Sequence, residues 1–364
     1  VNFKRFGRPA VIAIAAGLAL SSCAANEGAA PASDEASAST LTGTLNGAGA
    51  SSMGAAQEAW RAGFQTANPE VTINYDPTGS GAGREAFIAG GTDFAGSDSY
   101  MSTDELAGTF ASCAPNSKAV DLPVYISPIA VIFNVDGVDE LNIDSSTLAK
   151  IFAGTITSWD DAAIAALNPD ATLPATPITA VHRSDDSGTT KNFSDYLGQT
   201  APDVWTEKAS DTFPFSTGDG AQGTSGVVSA VTNGVGTIGY ADASQAGTLS
   251  TAKLMVGSEF VAYTPEAAAE VVAGSPLVAD RAADDLALEL NRKTTNPAEY
   301  PLVLVSYAIV CNEYADAAQG ELVKAYIEYI ASAAGQAVAE ESAGVAPLTD
   351  QLEADVAAVL ATVK

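Results

Sequence analysis

The sequence predicts an α/β fold, and three observations point to it. Short apolar runs of strand length recur along the chain, helical patterns lie between them, and four of the strand-to-helix junctions are rich in Gly, Ser and Thr. The strand runs cover residues 71–75, 119–125, 129–134, 178–182, 237–240 and 302–311. Their nearly unbroken apolar character is that of strands covered on both faces, which predicts largely parallel sheets. Gly54–Ala67 reads as a helix with Trp60 and Phe64 on one face, four residues apart. Ser102 and Glu105 form a capping-box pattern, Ser158 is placed to cap a helix over 159–167, and two helices are expected over 321–334 and 350–363. No repeat of solenoid or propeller spacing is visible.

The junctions hold the chemistry. They are Gly47-Ala48-Gly49-Ala50-Ser51-Ser52, Thr78-Gly79-Ser80-Gly81-Ala82-Gly83, Ser184-Asp185-Asp186-Ser187-Gly188-Thr189 and the glycine-rich run 218–226. A helix start presents unpaired N–H groups and the positive end of the dipole, so it suits an oxyanion. Glycine admits close approach of the backbone, and hydroxyls add donors without bulk. One such turn alone is an ordinary helix cap; four in one chain, with Arg183 and Asp98 nearby, are a pattern. Gly218 to Gly223 fits G-x-G-x-x-G, but Pro214 interrupts the segment before it, which argues against a dinucleotide fingerprint. No Gly-Lys pair exists, so there is no Walker A loop.

Composition narrows the class. The chain has 47% hydrophobic and 16% charged residues, enough apolar content for a real core, and its length suits about two domains. A formal charge of −28 argues against nucleic acid or anionic membrane as a partner, so any anion must be held by local donors. Lys4, Arg5 and Arg8 precede an apolar or small stretch over 9–20, too short for a comfortable membrane span. Residues 1–22 are therefore expected to be a signal peptide. Leu20-Ser21-Ser22-Cys23 resembles a bacterial lipobox, which makes Cys23 the expected lipid attachment site; the alternative is a plain secretory signal followed by an incidental cysteine. Residues 23–40 contain no large apolar side chain and read as a flexible tether. A single histidine and no Cys-x-x-Cys spacing give metal binding little support. Cys113 and Cys311 remain, either as a disulfide or as two buried thiols.

Several motifs occur together and in order. Gly47 to Ser51 reads GAGA-[ST]; Ile73-Asn74-Tyr75 is followed by Gly79-Ser80-Gly81; Asp93 to Asp98 reads DF-x-x-SD. Ser158-Trp159-Asp160-Asp161 is followed by Leu167-Asn168-Pro169, Arg183 to Thr189 reads R-x-D-x-SGT, and Gly236 to Tyr240 reads G-x-IGY. From about Leu41 to the C-terminus the chain thus resembles the phosphate-binding protein of bacterial high-affinity ABC phosphate importers. The resemblance implies a two-lobed, Venus-flytrap periplasmic-binding-protein fold of type II with two hinge crossings, near 124–129 and 300–306. Lobe I would comprise 41–126 and 302–364, and lobe II 127–301. It implies phosphate contacts from Ser51, Ser52, Ser80, Asp98, Arg183, Ser187, Gly188 and Thr189, with Asp185 pairing Arg183 at the edge of the site. Ser52 stands where some relatives carry an aromatic residue; the family contact there is the main-chain N–H, so binding should survive the change. The implied partners are inorganic phosphate, a membrane permease pair and its ATPase. A monomer without cofactor, lipid-anchored to the outer face of the cell membrane, is expected.

The residue chemistry agrees with that expectation. Phosphate near neutral pH keeps one or two protons, and sulfate keeps none. An ionised Asp98 can accept a hydrogen bond from a phosphate O–H but meets only lone pairs on sulfate. The alternative for Asp98 is a cap on the next turn, and for Arg183 a surface ion pair with Asp185. Arg183 has a planar fork suited to two phosphate oxygens, and Ser187, Gly188 and Thr189 open a helix. His182 adjoins Arg183, a poor setting for a general base, and no G-x-S-x-G elbow surrounds Ser80, Ser187 or Ser225, so an enzyme is not expected. The rival readings are a sulfate or molybdate receptor, an extracellular phosphoesterase, and a phosphate-responsive surface protein without a transport role.

Overall fold

The computed structural model describes residues 40–364. The expected leader, Cys23 and nearly all of the tether lie outside the described residues. A first unit pairs strand β1 (Gly43–Gly49) with β2 (Val71–Asp76) in parallel through helix α1 (Gly54–Ala67). Helix α2 (Ser80–Ile88) leads to β3 (Phe94–Ser97) on the other side of β1, and short α3 (Thr103–Ala107) opens with the capping box of Ser102 and Glu105. The chain continues through β4 (Ala119–Asn134), β5 (Leu141–Ile143), α4 (Ser145–Phe152) and α5 (Ala162–Leu167). Next come β6 (Thr179–Arg183), α6 (Gly188–Thr200), β7 (Asp219–Ala221), α7 (Gly223–Asn233) and β8 (Thr237–Asp242). Strands β9 (Ser250–Val256) and β10 (Glu259–Val261) and helix α8 (Pro265–Ala273) precede β11 (Val303–Cys311). Helices α9 (Ala317–Ala331), α10 (Ala333–Ala343) and α11 (Asp350–Leu360) complete the chain.

The sheet runs β2-β1-β3-β11-β4-β8-β6-β7, with β9, β10 and β5 branching from β4. Its wings are parallel, as expected, but its centre is not: β11 runs antiparallel to β3 and β4, and β4 antiparallel to β8. Both central strands are buried almost end to end, and an apolar run carries no information on strand direction. The runs at 119–125 and 129–134 are one strand of 16 residues. It pairs with β11 as far as Pro128 and with β8 from Ile129 onward, so the change of partner falls at a residue that has no N–H to donate. The return crossing lies beside it, where Ile129 N–H bonds Leu302 O at 2.8 Å and Tyr300 Oη donates to Ile129 O at 3.0 Å.

Several helix boundaries differ from expectation: α9 begins at Ala317 rather than at 321, and α11 ends at Leu360 rather than at 363. Asp161, not Ser158, caps α5, because its carboxylate accepts from Ala163 N–H two residues on; buried Trp159 lies ahead of the helix with its indole N–H on Gly236 O. The helix expected over 321–334 stops at Ala331, where Ser332 takes an extended conformation and caps α10. Trp60 and Phe64 are buried as their spacing implies, with the Phe64 ring 5.3 Å from Tyr326 of α9. Cys113 and Cys311 are disulfide-bonded, Cα atoms 5.4 Å apart, which ties the loop after α3 to the end of β11. Segment 281–288, which the sequence assigns to the second lobe, bonds the first half of the sheet: Arg281 pairs with Asp121 of β4, and Leu288 N–H reaches Tyr307 Oη of β11.

Candidate anion-binding site

All four glycine-rich junctions join a strand to a helix, and their starts converge. Elsewhere in the described chain helices are capped by side chains: Ser102, Asp144, Asp161, Thr264, Asp316, Ser332 and Thr349 each accept from the first turn, as does Ser187 at the third junction. Helices α1, α2 and α7 have no side-chain cap from their own start. The turns serve one another instead. Gly223 N–H of α7 donates to Asp185 Oδ1 at 3.0 Å, Thr224 N–H to Ser51 Oγ at 3.0 Å, and Gly81 N–H of α2 to Asp186 O at 3.0 Å. Among the described residues no backbone acceptor takes the N–H groups of Ser52, Ser80, Gly188 or Thr189. A buried donor of that kind calls for a partner.

Asp98 stands at the centre, 3% exposed at the end of β3. Its Oδ1 accepts from Ser52 Oγ at 2.5 Å and Ser306 Oγ at 2.8 Å, and its Oδ2 from Thr189 Oγ1 at 2.7 Å. Its backbone is fixed too, with N–H to Ser80 Oγ at 3.1 Å and O accepting from Asn192 Nδ2 at 2.7 Å. Burial pushes the carboxyl pKa up; the three hydroxyls and the charge of Arg183 pull it back without cancelling the rise. A carboxylate has about four acceptor directions, so three hydroxyl donors leave room for one more.

Arg183 ends β6 with its side chain 2% exposed. Asp185 holds the guanidinium in a two-point fork, from Nε at 2.8 Å and Nη2 at 2.5 Å, which leaves Nη1 for a ligand. Partial burial disfavours the charged form of Asp185, yet the bonds and charge of Arg183 outweigh it and hold the carboxyl below its usual range. Ser187 and Gly188 open α6, and glycine at 188 lets that helix press against Asp98: a Cβ there would lie 2.8 Å from Asp98 Cβ, from Ser80 Oγ and from Ser99 N. Ser51 is half-buried, its hydroxyl 3.0 Å from Thr224 Oγ1 and its carbonyl bonded by Gln245 Nε2 at 2.8 Å.

The structure thus brings Ser51, Ser52, Ser80, Asp98, Arg183, Ser187, Gly188 and Thr189 together, with Asp185 at the edge. Sequence reasoning missed Ser306, Asn192 and Gln245. It also missed Arg84 of α2, whose guanidinium bonds Glu105 at 2.8 Å and Asp211 at 2.6 Å. Ser306 alone carried a signal, as a serine within an apolar strand. The ring of His182 stacks on Phe213 with centroids 4.0 Å apart, and Nδ1 meets Arg183 O at 2.8 Å, so its surroundings are structural. Among the described residues no cluster of His, Cys, Asp and Glu is placed to hold a metal ion.

The converging helix starts and the two-part sheet are those of a two-lobed solute-binding protein of the type II periplasmic class. A family model described as the PBP superfamily domain matches residues 34–334. The phosphate-binding protein PstS3 of Mycobacterium bovis (strain BCG / Pasteur 1173P2) is 36% identical over 365 residues, covering 97% of both chains. The phosphate-binding protein PstS 3 of Mycobacterium leprae (strain TN) is 37% identical over 341 residues, 90% of this chain and 91% of that one. The chain belongs to the phosphate-binding proteins of the PBP superfamily. The fold is also that of a high-affinity periplasmic phosphate-binding protein (PfluDING) solved with phosphate bound: TM-score 0.69, 23% identity, 87% of this chain and 93% of that chain covered. A DING protein structure is similar at TM-score 0.67 and 24% identity, over 86% of this chain and 93% of that chain.

Proposed function

We propose that this protein captures inorganic phosphate outside the cytoplasmic membrane and hands it to an ABC importer made of a permease pair and an ATPase. The observation that carries the reading is the convergence of unpartnered helix-start N–H groups, Arg183 and Asp98 on one buried point. Ser52, Ser80, Gly188 and Thr189 would donate from the backbone, Ser51 and Ser187 from their hydroxyls, and Arg183 through Nη1. Asp98 would accept the phosphate O–H. The lobes would divide at the partner change of β4 and at the entry to β11, as 41–126 plus 302–364 and 127–301, with 281–288 strapping one to the other. Lipid attachment at Cys23, a monomeric state and a position on the outer membrane face complete the reading. The Cys113–Cys311 bond supports an oxidising compartment. The family is one of transport receptors, not enzymes.

Calorimetric titration of protein unfolded, dialysed and refolded to strip bound ligand tests the proposal. Phosphate should bind tightly and sulfate roughly 10⁴-fold more weakly. The Asp98→Asn variant should narrow that gap by at least about tenfold, because an amide donates where the carboxylate repels. Equal binding of both anions by the unaltered protein overturns the assignment to phosphate, and binding of neither overturns the receptor reading.

A further inference from the structure

Among the hydroxyls that donate to the Asp98 carboxylate, Ser306 is the one that none of the four glycine-rich turns supplies. It comes from β11, is wholly buried, and places Oγ 2.8 Å from Asp98 Oδ1. The strand is irregular at this position: Ser306 opposes Tyr125 of β4 while Tyr307 opposes Pro123, so one residue of β4 is left over. Such irregularities bend a strand and re-aim a side chain, and they gather beside binding sites. The other two hydroxyls on Asp98, from Ser52 and Thr189, belong to the turns that face the ligand. A phosphate arriving there would compete for those groups, whereas Ser306 comes from the central strand β11, outside those turns.

We propose that Ser306 is a positioning residue that keeps the Asp98 carboxylate an acceptor, and so sets the pH below which the site stops telling a protonated oxyanion from an unprotonated one. The selectivity part rests on the phosphate reading above. Once Asp98 takes up a proton it gains an O–H donor and loses its charge: it can bond sulfate, and it accepts from a phosphate O–H only as a weaker, neutral carbonyl. A hydrogen bond to the charged form opposes that proton, and losing one to a buried carboxylate moves the titration upward. Other groups act on Asp98 as well, and Ser306 variants leave them in place. Arg183 of β6 favours the ionised form, while the charge of Asp98 acts on Tyr75 of β2 and on Asp242 at the end of β8, pushing both upward. Tyr125 of β4 bonds Asp242, Arg84 of α2 bonds the flanking Ser97 and Ser99, and Lys191, Asp195 and Arg292 share a cavity of about 360 Å³ with Asp98.

The test compares the unaltered chain with Ser306→Ala, Ser306→Cys and Ser306→Thr. Carbon-13 NMR of labelled aspartate side chains, with Asp98→Asn identifying the resonance, reads the Asp98 titration in ligand-free protein. Its midpoint should rise by about one pH unit in Ser306→Ala, by less in Ser306→Cys, and return in Ser306→Thr. Calorimetry with sulfate from pH 4 to pH 8 should show weak binding that appears on acidification, with its midpoint shifted upward by the same amount in Ser306→Ala. An unchanged Asp98 midpoint in both Ser306→Ala and Ser306→Cys overturns the role of Ser306, whatever the ligand proves to be. A shifted midpoint with no phosphate binding by the unaltered chain would instead retain the role and reject the phosphate reading.

Discussion

Gly188 shows how little room the site leaves at the scale of one residue. Its Cα lies where α6 abuts Asp98, Ser80 and Ser99, and an added methyl would come within 2.8 Å of all three. None can retreat cheaply: Asp98 is bonded through its carboxylate, N–H and carbonyl, and Ser80 Oγ accepts from Asp98 N–H. Gly188→Ala should therefore displace the first turn of α6, costing about 1–3 kcal/mol of stability as an overpacking change. The displaced donors should cost phosphate affinity at least about tenfold, since each charge-assisted bond depends on its geometry. Thermal melting and calorimetry on one preparation read both effects, and an unaltered affinity would show that the donors of α6 do not meet the ligand. The site residues within the glycine-rich turns and the DF-x-x-SD segment were legible because those motifs are local in sequence. Ser306 was not, because its role depends on the partner that β11 finds more than 200 positions from Asp98.

Among elements, the contact between α2 and the loop joining α6 to β7 bridges the two halves of the sheet. Arg84, with a side chain 7% exposed, bonds Asp211 of that loop at 2.6 Å and Glu105 at 2.8 Å, and Nη1 reaches Ser97 Oγ and Ser99 Oγ. Ser99 Oγ adds a 2.9 Å bond to Asp211 Oδ1, while Asp211 O accepts from Ser187 N–H at 2.9 Å. The contact with Arg84 and the start of α6 thus share one aspartate. Replacing Arg84 by Met should leave Asp211 partly buried without its cation and weaken phosphate binding by about tenfold or more, chiefly through faster release. Selectivity over sulfate should persist, because Asp98 is untouched. Stopped-flow release with calorimetry checks this, and a slower association with unchanged release would argue against a latch. Nothing in the local sequence foretold the contact, since Arg84 reads as an ordinary helical cation and Asp211 as a loop acid. The wings of the fold were legible for the opposite reason: β1-α1-β2 and β6-α6 are local units with periodic faces and glycine turns. The central antiparallel pair, β4 and β11, is made by residues far apart in the chain, and a wholly buried strand looks alike in either direction.

The molecule as a whole is strongly acidic, with 44 Asp and Glu against 16 Lys and Arg, and it buries some of those carboxylates where the two halves meet. Asp242 is the plainest case. It ends β8, opposite Ile129 at the partner change of β4, and is wholly buried. Its Oδ1 accepts from Tyr125 Oη at 3.1 Å, from Ser244 N–H at 2.9 Å and from Ser244 Oγ, while Oδ2 has no partner. Burial, opposed by the Ser244 bonds and reinforced by the charge of Asp98, pushes its pKa up to about 7. Asp121 is also pushed upward, by burial and by Asp285, with which it shares Arg281. An unfolded aspartate titrates near 3.9, so between about pH 4 and pH 7 the folded chain keeps a proton that the unfolded chain has lost. The folded state then binds more protons, and stability must fall as pH rises through that window. The contribution is fully present below about pH 4 and gone above about pH 7, with general acid repulsion acting in the same direction. Ligand-free protein should therefore melt at a lower temperature at pH 8 than at pH 5. Asp242→Asn, which keeps the shape without the charge, should flatten that slope, by at most roughly 4 kcal/mol for a three-unit shift. Melting curves of both proteins from pH 5 to pH 8 decide it. A difference between them that grows with pH places a charged acid at the crossing between the halves, and a constant difference means Asp242 does not titrate in the window.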